Sequence, residues 1–156
     1  MEERKHNEFF PMRTAVEQEQ GLLNLLAYTG QFFDLKELTM IEIGSYIGES
    51  TMLFAKRFNF VFSIDPFIDD YPENYGVSRY AEFDKVYAKF LENTKDFRNI
   101  WHVKQKSDNA ASIFTSRKVD FVYIDGCHTS TIISELRNKL LNDRIDYTDR
   151  GSSETV

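Results

Sequence analysis

Glu42, Gly44, Gly48 and Ser50 follow the spacing Glu-x-Gly-x-x-x-Gly-x-Ser, between the apolar run Met40-Ile41-Glu42-Ile43 and a segment of helical periodicity. Gly44 permits a tight turn and Gly48 lets backbone and ligand approach. The free N–H groups where the helix opens suit a carboxylate or phosphate. The plain alternative is a structural strand-to-helix turn, with Ser50 merely in the first helical turn. Glu42, on a strand expected to be buried, would then need a cationic partner. Asp65 closes a second apolar run about 20 residues further on, the offset at which an acidic side chain accepts both hydroxyls of a ribose. Its competing role is that of a capping or loop aspartate. A dinucleotide fingerprint would place glycine where Tyr46 stands, and the Tyr46 side chain would crowd a pyrophosphate, so a nicotinamide cofactor is disfavoured.

Further chemistry gathers at the ends of later apolar runs. Asp125-Gly126-Cys127-His128 closes the fourth of them, facing the first across the switch point where doubly wound sheets bind ligands. His128 has the ordinary pKa of a general base toward a hydroxyl, although a His opening a helix also serves as a cap or packing residue. Cys127 reads as a small apolar residue, and His6 and His102 receive no role. Phe67 packs either on an adenine face or over the core edge. Ser107 and Asp108 follow the third run at the same edge, with Asp108 alternatively a helix N-cap.

The elements that must position these residues alternate along the chain. Residues 14–28 predict a helix with Val16, Leu22, Leu23, Leu25 and Leu26 largely on one side and Gly30 as its stop. Met52, Leu53, Ala55 and Phe58 mark the helix after the glycine turn. Tyr80, Phe83, Val86, Tyr87, Phe90 and Leu91 mark a second crossover helix. Residues 60–65, 100–104 and 119–125 read as three more strands; Pro66 ends the first of these, and a short helix over 109–114 separates the other two. Strands alternating with helices imply a parallel sheet. A last helix is expected over 130–141. The domain reading is a helical segment at 1–38, a ligand-binding α/β unit at 39–142 and a disordered tail at 143–156.

The bulk composition narrows the function classes. In 156 residues, 42% are hydrophobic and 15% aromatic, which suits one domain with a real core. A formal net charge of -6 repels phosphate backbones, so nucleic acid is not expected as a substrate. No apolar stretch approaches the roughly 20 residues of a membrane span. A single cysteine and a polar N-terminus without the apolar core of a signal peptide make a reducing cytoplasmic setting the default expectation.

Four segments together resemble the class I S-adenosylmethionine-dependent methyltransferases, in particular the small-molecule O-methyltransferases of catechol, caffeoyl-CoA and macrocin type. They are Gln20-Gly21-Leu22-Leu23, the run Ile41-Glu42-Ile43-Gly44-Ser45-Tyr46-Ile47-Gly48-Glu49-Ser50-Thr51, Ser63-Ile64-Asp65-Pro66-Phe67, and Asp120-Phe121-Val122-Tyr123-Ile124-Asp125-Gly126 with His128. The resemblance spans about residues 15 to 140. It implies a Rossmann-like doubly wound parallel sheet and S-adenosylmethionine as cofactor. Glu42 and the backbone of Gly44, Ser45 and Tyr46 would hold its amino-acid end, with Gly48 giving clearance and Ser50 steadying the turn. Asp65, Pro66 and Phe67 would meet the adenosyl group, and Ser107 or Asp108 the adenine amino group. It further implies that Asp125, with or without His128, helps deprotonate a small-molecule acceptor. In metal-using relatives an aspartate in this place is one ligand of a divalent cation, but no complete ligand set is present here.

The sheet order implied by the resemblance is 3-2-1-4-5-7-6, of which this sequence supplies the first four strands and the following helix, so the fold is expected to be truncated there. The fourth strand would then be an exposed edge prone to self-association. Two further readings stay open: a remnant that binds the cofactor but needs a partner chain, and a nucleotide-binding oxidoreductase half.

Overall fold

The computed structural model describes residues 16–68, 82–114 and 119–125. Four short apolar runs become strands: β1 (Thr39–Ile43), β2 (Phe60–Ile64), β3 (Ile100–Val103) and β4 (Phe121–Ile124). They form one parallel sheet in the order β3-β2-β1-β4, with Ile41 opposite both Phe62 and Val122 and Phe62 opposite Trp101. This is the expected Rossmann-like arrangement, with the order reversing between β1 and β4. The helix expected over 130–141 and the tail after it lie outside the described residues.

Helices α1 (Val16–Thr29), α2 (Glu49–Ala55), α3 (Phe83–Thr94) and α4 (Ser107–Ala111) fill the connections, with a further 3₁₀ turn at Leu35–Glu37 before β1. None of the described helices is long and apolar enough to cross a membrane. Strand alternation sorts the core onto two faces. Ile41, Ile43, Phe62, Ile64 and Val103 pack against Ala110 of α4 and Phe114. Met40 and Val61 pack on the other face against Phe54, Phe58, Leu22 and Leu26. Helices therefore cover both faces, as parallel sheets require.

The buried stripe on each helix is narrower than the apolar spacing. In α1, Leu22 and Leu26 are buried while Leu25 is exposed, because one turn of spacing selects i and i+4. In α2 the central core residue is Phe54, with Met52 and Leu53 only half-buried. Leu91 of α3 faces outward, and Thr94, whose hydroxyl bonds back to the Phe90 carbonyl at 2.8 Å, is buried instead.

The second face changes character along the strands. Its first row, Phe121, Met40, Val61 and Ile100 across β4, β1, β2 and β3, is apolar. The next row towards the carboxyl ends is Tyr123, Glu42, Ser63 and His102. The sheet thus becomes polar where the glycine turn begins.

Candidate functional site

Glu42 is fully buried in that polar row. Its two carboxylate oxygens accept the hydroxyls of Ser50 and Thr51, which α2 brings back over the strand end. The sequence called for a cationic partner; two hydroxyl donors take that place and tie β1 to α2. Ser50 therefore does more than occupy a helical turn, and Thr51, unassigned in the sequence, shares the task. Burial pushes the Glu42 carboxyl up to about 7, against the opposing hydroxyl bonds from Ser50, Thr51 and Ser45.

This shift gives a pH dependence with a definite sign. Between the ordinary value of 4.5 and about 7, the folded protein holds a Glu42 proton that the unfolded chain has lost, so stability falls as pH rises through that window. The expected contribution is about 3 kcal/mol lost between pH 4 and pH 8. Urea unfolding of the wild type and Glu42→Gln across that range should show a flatter slope in the variant. Asp65 is also pushed up by burial and slopes the same way, so some dependence should persist. Parallel slopes in the two proteins would refute the assignment.

The turn itself is built from positive-φ residues: Gly44 at 89°, Tyr46 at 48° and Gly48 at 82°. A Cβ on Gly48 would stand 2.9 Å from Phe90 Cδ2 and 3.1 Å from Thr94 Cγ2. The close approach that demands glycine at this position is thus made by α3. Asn93 of α3 also donates its amide to the Ile47 carbonyl at 2.8 Å, a contact no sequence spacing announced. Ser45 is buried, its hydroxyl bonded to that of Ser63 on β2.

Asp65 follows β2 and reaches across to the turn. Its Oδ2 accepts the backbone N–H groups of Ser45 at 2.9 Å and Tyr46 at 3.0 Å, and its Oδ1 accepts that of Phe67 at 2.8 Å. Of the two roles the sequence left open for Asp65, these bonds show that of a loop aspartate, which ties the glycine turn to the end of β2. Phe67 follows Pro66 with a φ of 50°, and its buried ring packs 4.8 Å from Tyr87 and 5.2 Å from Phe90, measured between centroids. Of the two roles open to it, the structure shows the ring covering the core edge. Tyr87 in turn pairs its hydroxyl with His102 Nε2 at 2.9 Å, which gives His102 the structural role the sequence did not assign.

Ser107 and Asp108 are the first two residues of α4, which places Asp108 inside the helix, one position beyond its first residue. Asp125 follows β4 beside the glycine turn, its N–H bonded to the Ile43 carbonyl at 2.8 Å. Burial, with smaller contributions from the nearby Asp125 and Glu42 carboxylates, pushes the Tyr123 hydroxyl up to about 12. Gly126, Cys127 and His128 lie outside the described residues. Among the described residues, no group of three or more His, Cys, Asp or Glu side chains could hold a metal ion. An open groove of about 920 Å³ lined by Phe32, Phe33, Lys36, Lys56 and Arg57 lies near the amino ends of the strands, away from this edge.

The glycine turn, Asp65, Ser107 and Asp125 therefore stand at the carboxyl ends of β1, β2, β3 and β4, in the crevice where such sheets bind ligands. Over residues 41–143 the sequence matches the family described as a methyltransferase domain. A comparison with curated proteins returns no match. An rRNA methylase from Streptococcus thermophilus aligns with a TM-score of 0.54 at 13% identity, over 85% of this chain and 66% of that one. A protein assigned as a caffeoyl-CoA O-methyltransferase from Staphylococcus aureus aligns with a TM-score of 0.53 at 13% identity, over 80% of this chain and 52% of that one. The chain thus spans just under two thirds of the first protein and about half of the second, and at such identity the likeness is one of fold.

Proposed function

The chain belongs to the methyltransferase domain family, and from that premise we propose that it binds S-adenosylmethionine at the glycine turn and methylates a hydroxyl of a small metabolite or sugar. One observation carries the binding half of this reading: the N–H groups of Ser45 and Tyr46 converge on a single carboxylate oxygen, supplied here by Asp65. A turn that grips one carboxylate fits the carboxylate at the amino-acid end of the cofactor. Asp65 is the acidic side chain at the correct strand end to accept ribose hydroxyls. The net charge of -6 favours a small acceptor over a nucleic acid.

In this reading Ser45 and Tyr46 bind the ligand carboxylate, Glu42 with Ser50 and Thr51 holds the turn in shape, and Asp65 orients the ribose. Bound S-adenosylmethionine supplies a methyl group already activated by its sulfonium. The protein's main contribution is therefore alignment of the acceptor oxygen for in-line displacement. Asp125, beside the turn, is assigned the proton of the acceptor hydroxyl, with His128 as its proposed helper.

Calorimetric titration of the purified chain with S-adenosylmethionine and S-adenosylhomocysteine, with NAD as control, tests the cofactor assignment. Saturable heat with both sulfur ligands and none with NAD is the expected result. A well-folded protein that binds neither would remove the reading, and binding of NAD alone would replace it with the oxidoreductase alternative.

A further inference from the structure

Tyr46 and Phe67 both adopt the left-handed backbone region, which bulky L residues rarely enter. The N–H of each is bonded to the same carboxylate, Tyr46 to Oδ2 of Asp65 and Phe67 to Oδ1. Ser45 adds a third N–H. Under the proposed function, two of these donors are the groups that must meet the ligand carboxylate, and Asp65 is the group that must meet the ribose hydroxyls. Each is at present the hydrogen-bond partner of the other.

A ligand bearing only a carboxylate has to displace Asp65 and leave its part-buried oxygen without those donors. A ligand bearing only the ribose diol has to draw Asp65 away and leave the Ser45 and Tyr46 N–H groups bare. Stranding a polar group that is largely shielded from water is the costly event in either case. A molecule carrying both groups replaces both sets of bonds at once.

We propose that the Asp65 bonds to Ser45 and Tyr46 form an internal latch that makes the site read two ligand features together, so that the amino-acid half and the nucleoside half bind with strong positive coupling. This rests on the cofactor assignment above. Asp65 is in this role a positioning and specificity residue: it discriminates against adenosine-like and methionine-like fragments that carry one feature only.

The test measures methionine affinity with and without saturating adenosine, followed through the backbone amide resonances of Ser45 and Tyr46, which register millimolar binding as readily as tighter binding. Methionine is expected to bind at least about 10-fold more tightly when adenosine is present, and adenosine to gain the same factor from methionine, since coupling is reciprocal. In Asp65→Ala the enhancement should vanish, and methionine alone should bind more tightly than it does to the wild type. The same spectra give a check on the latch in the ligand-free wild type: all three amides should shift together as Asp65 titrates, and none should do so in the variant. S-adenosylhomocysteine is titrated in parallel. If it binds while the fragments act independently, the latch is wrong and the cofactor assignment stands. If it does not bind, both fall.

Discussion

Asp65→Ala is expected to bind S-adenosylhomocysteine at least about 100-fold more weakly than the wild type. Two hydrogen bonds from ribose hydroxyls to a carboxylate are each worth roughly 1.5–3 kcal/mol, and each 1.4 kcal/mol is about a tenfold change in affinity. The freed N–H groups of Ser45 and Tyr46 return part of that loss by donating to a ligand carboxylate without competition, which is why the figure is set at the lower end. The same carboxylate holds three backbone N–H groups, two of them on left-handed residues, so the variant should also melt at a lower temperature. Calorimetry measures the first effect and circular dichroism the second. Wild-type affinity in a folded variant would show that the ribose contact lies elsewhere.

Gly48→Ala should be the most damaging single-methyl change in the described part of the chain. The φ of 82° disfavours any Cβ, and the added atom would meet the Phe90 ring at 2.9 Å and the Thr94 methyl at 3.1 Å. Left-handed strain and local overpacking together are expected to cost about 2–4 kcal/mol. Gly21→Ala provides the contrast. Nothing lies within 4 Å of its added Cβ, and the position is inside α1, so that variant should gain about 0.5–1 kcal/mol. Chemical denaturation of the three proteins gives the ranking, and Gly48→Ala matching the wild type in stability would contradict the close packing of α3 on the turn.

The sheet was legible because its strands are short apolar runs closed by Gly44, Asp65-Pro66 and Asp125, and runs of that kind separated by helical spacing leave little choice but a parallel order. The glycine turn and its acidic partner were legible for a related reason: Gly44 and Asp65 sit at strand ends, where residue type alone speaks. What escaped were pairings between side chains distant in sequence. Nothing in the spacing says that Thr51 reaches back to Glu42, that Asn93 holds Ile47, or that Tyr87 pairs with His102. Phe67 was ambiguous in sequence because an aromatic after Asp-Pro can turn either way; its left-handed φ and its contacts with Tyr87 and Phe90 settle where its ring lies. Leu25 was grouped with the buried leucines because apolar type suggested burial, whereas the helix surface available to the sheet admits a narrower stripe.

The pairing of β1 with β4 has a consequence for how the protein comes into being. Thr39 donates its N–H to the side chain of Asp120, 81 residues away, and Met40 to Ile43 align with Phe121 to Ile124 over a similar separation. Contacts of such long range close late, since the loop entropy must be overcome before the pairing returns anything. A ribosome will thus have released β1, β2 and β3 well before β4 can dock. During that interval Met40, Ile41 and Ile43, which end fully or nearly fully buried, have one open flank. The β1 flank is therefore closed only by the last of the four strands to be synthesised.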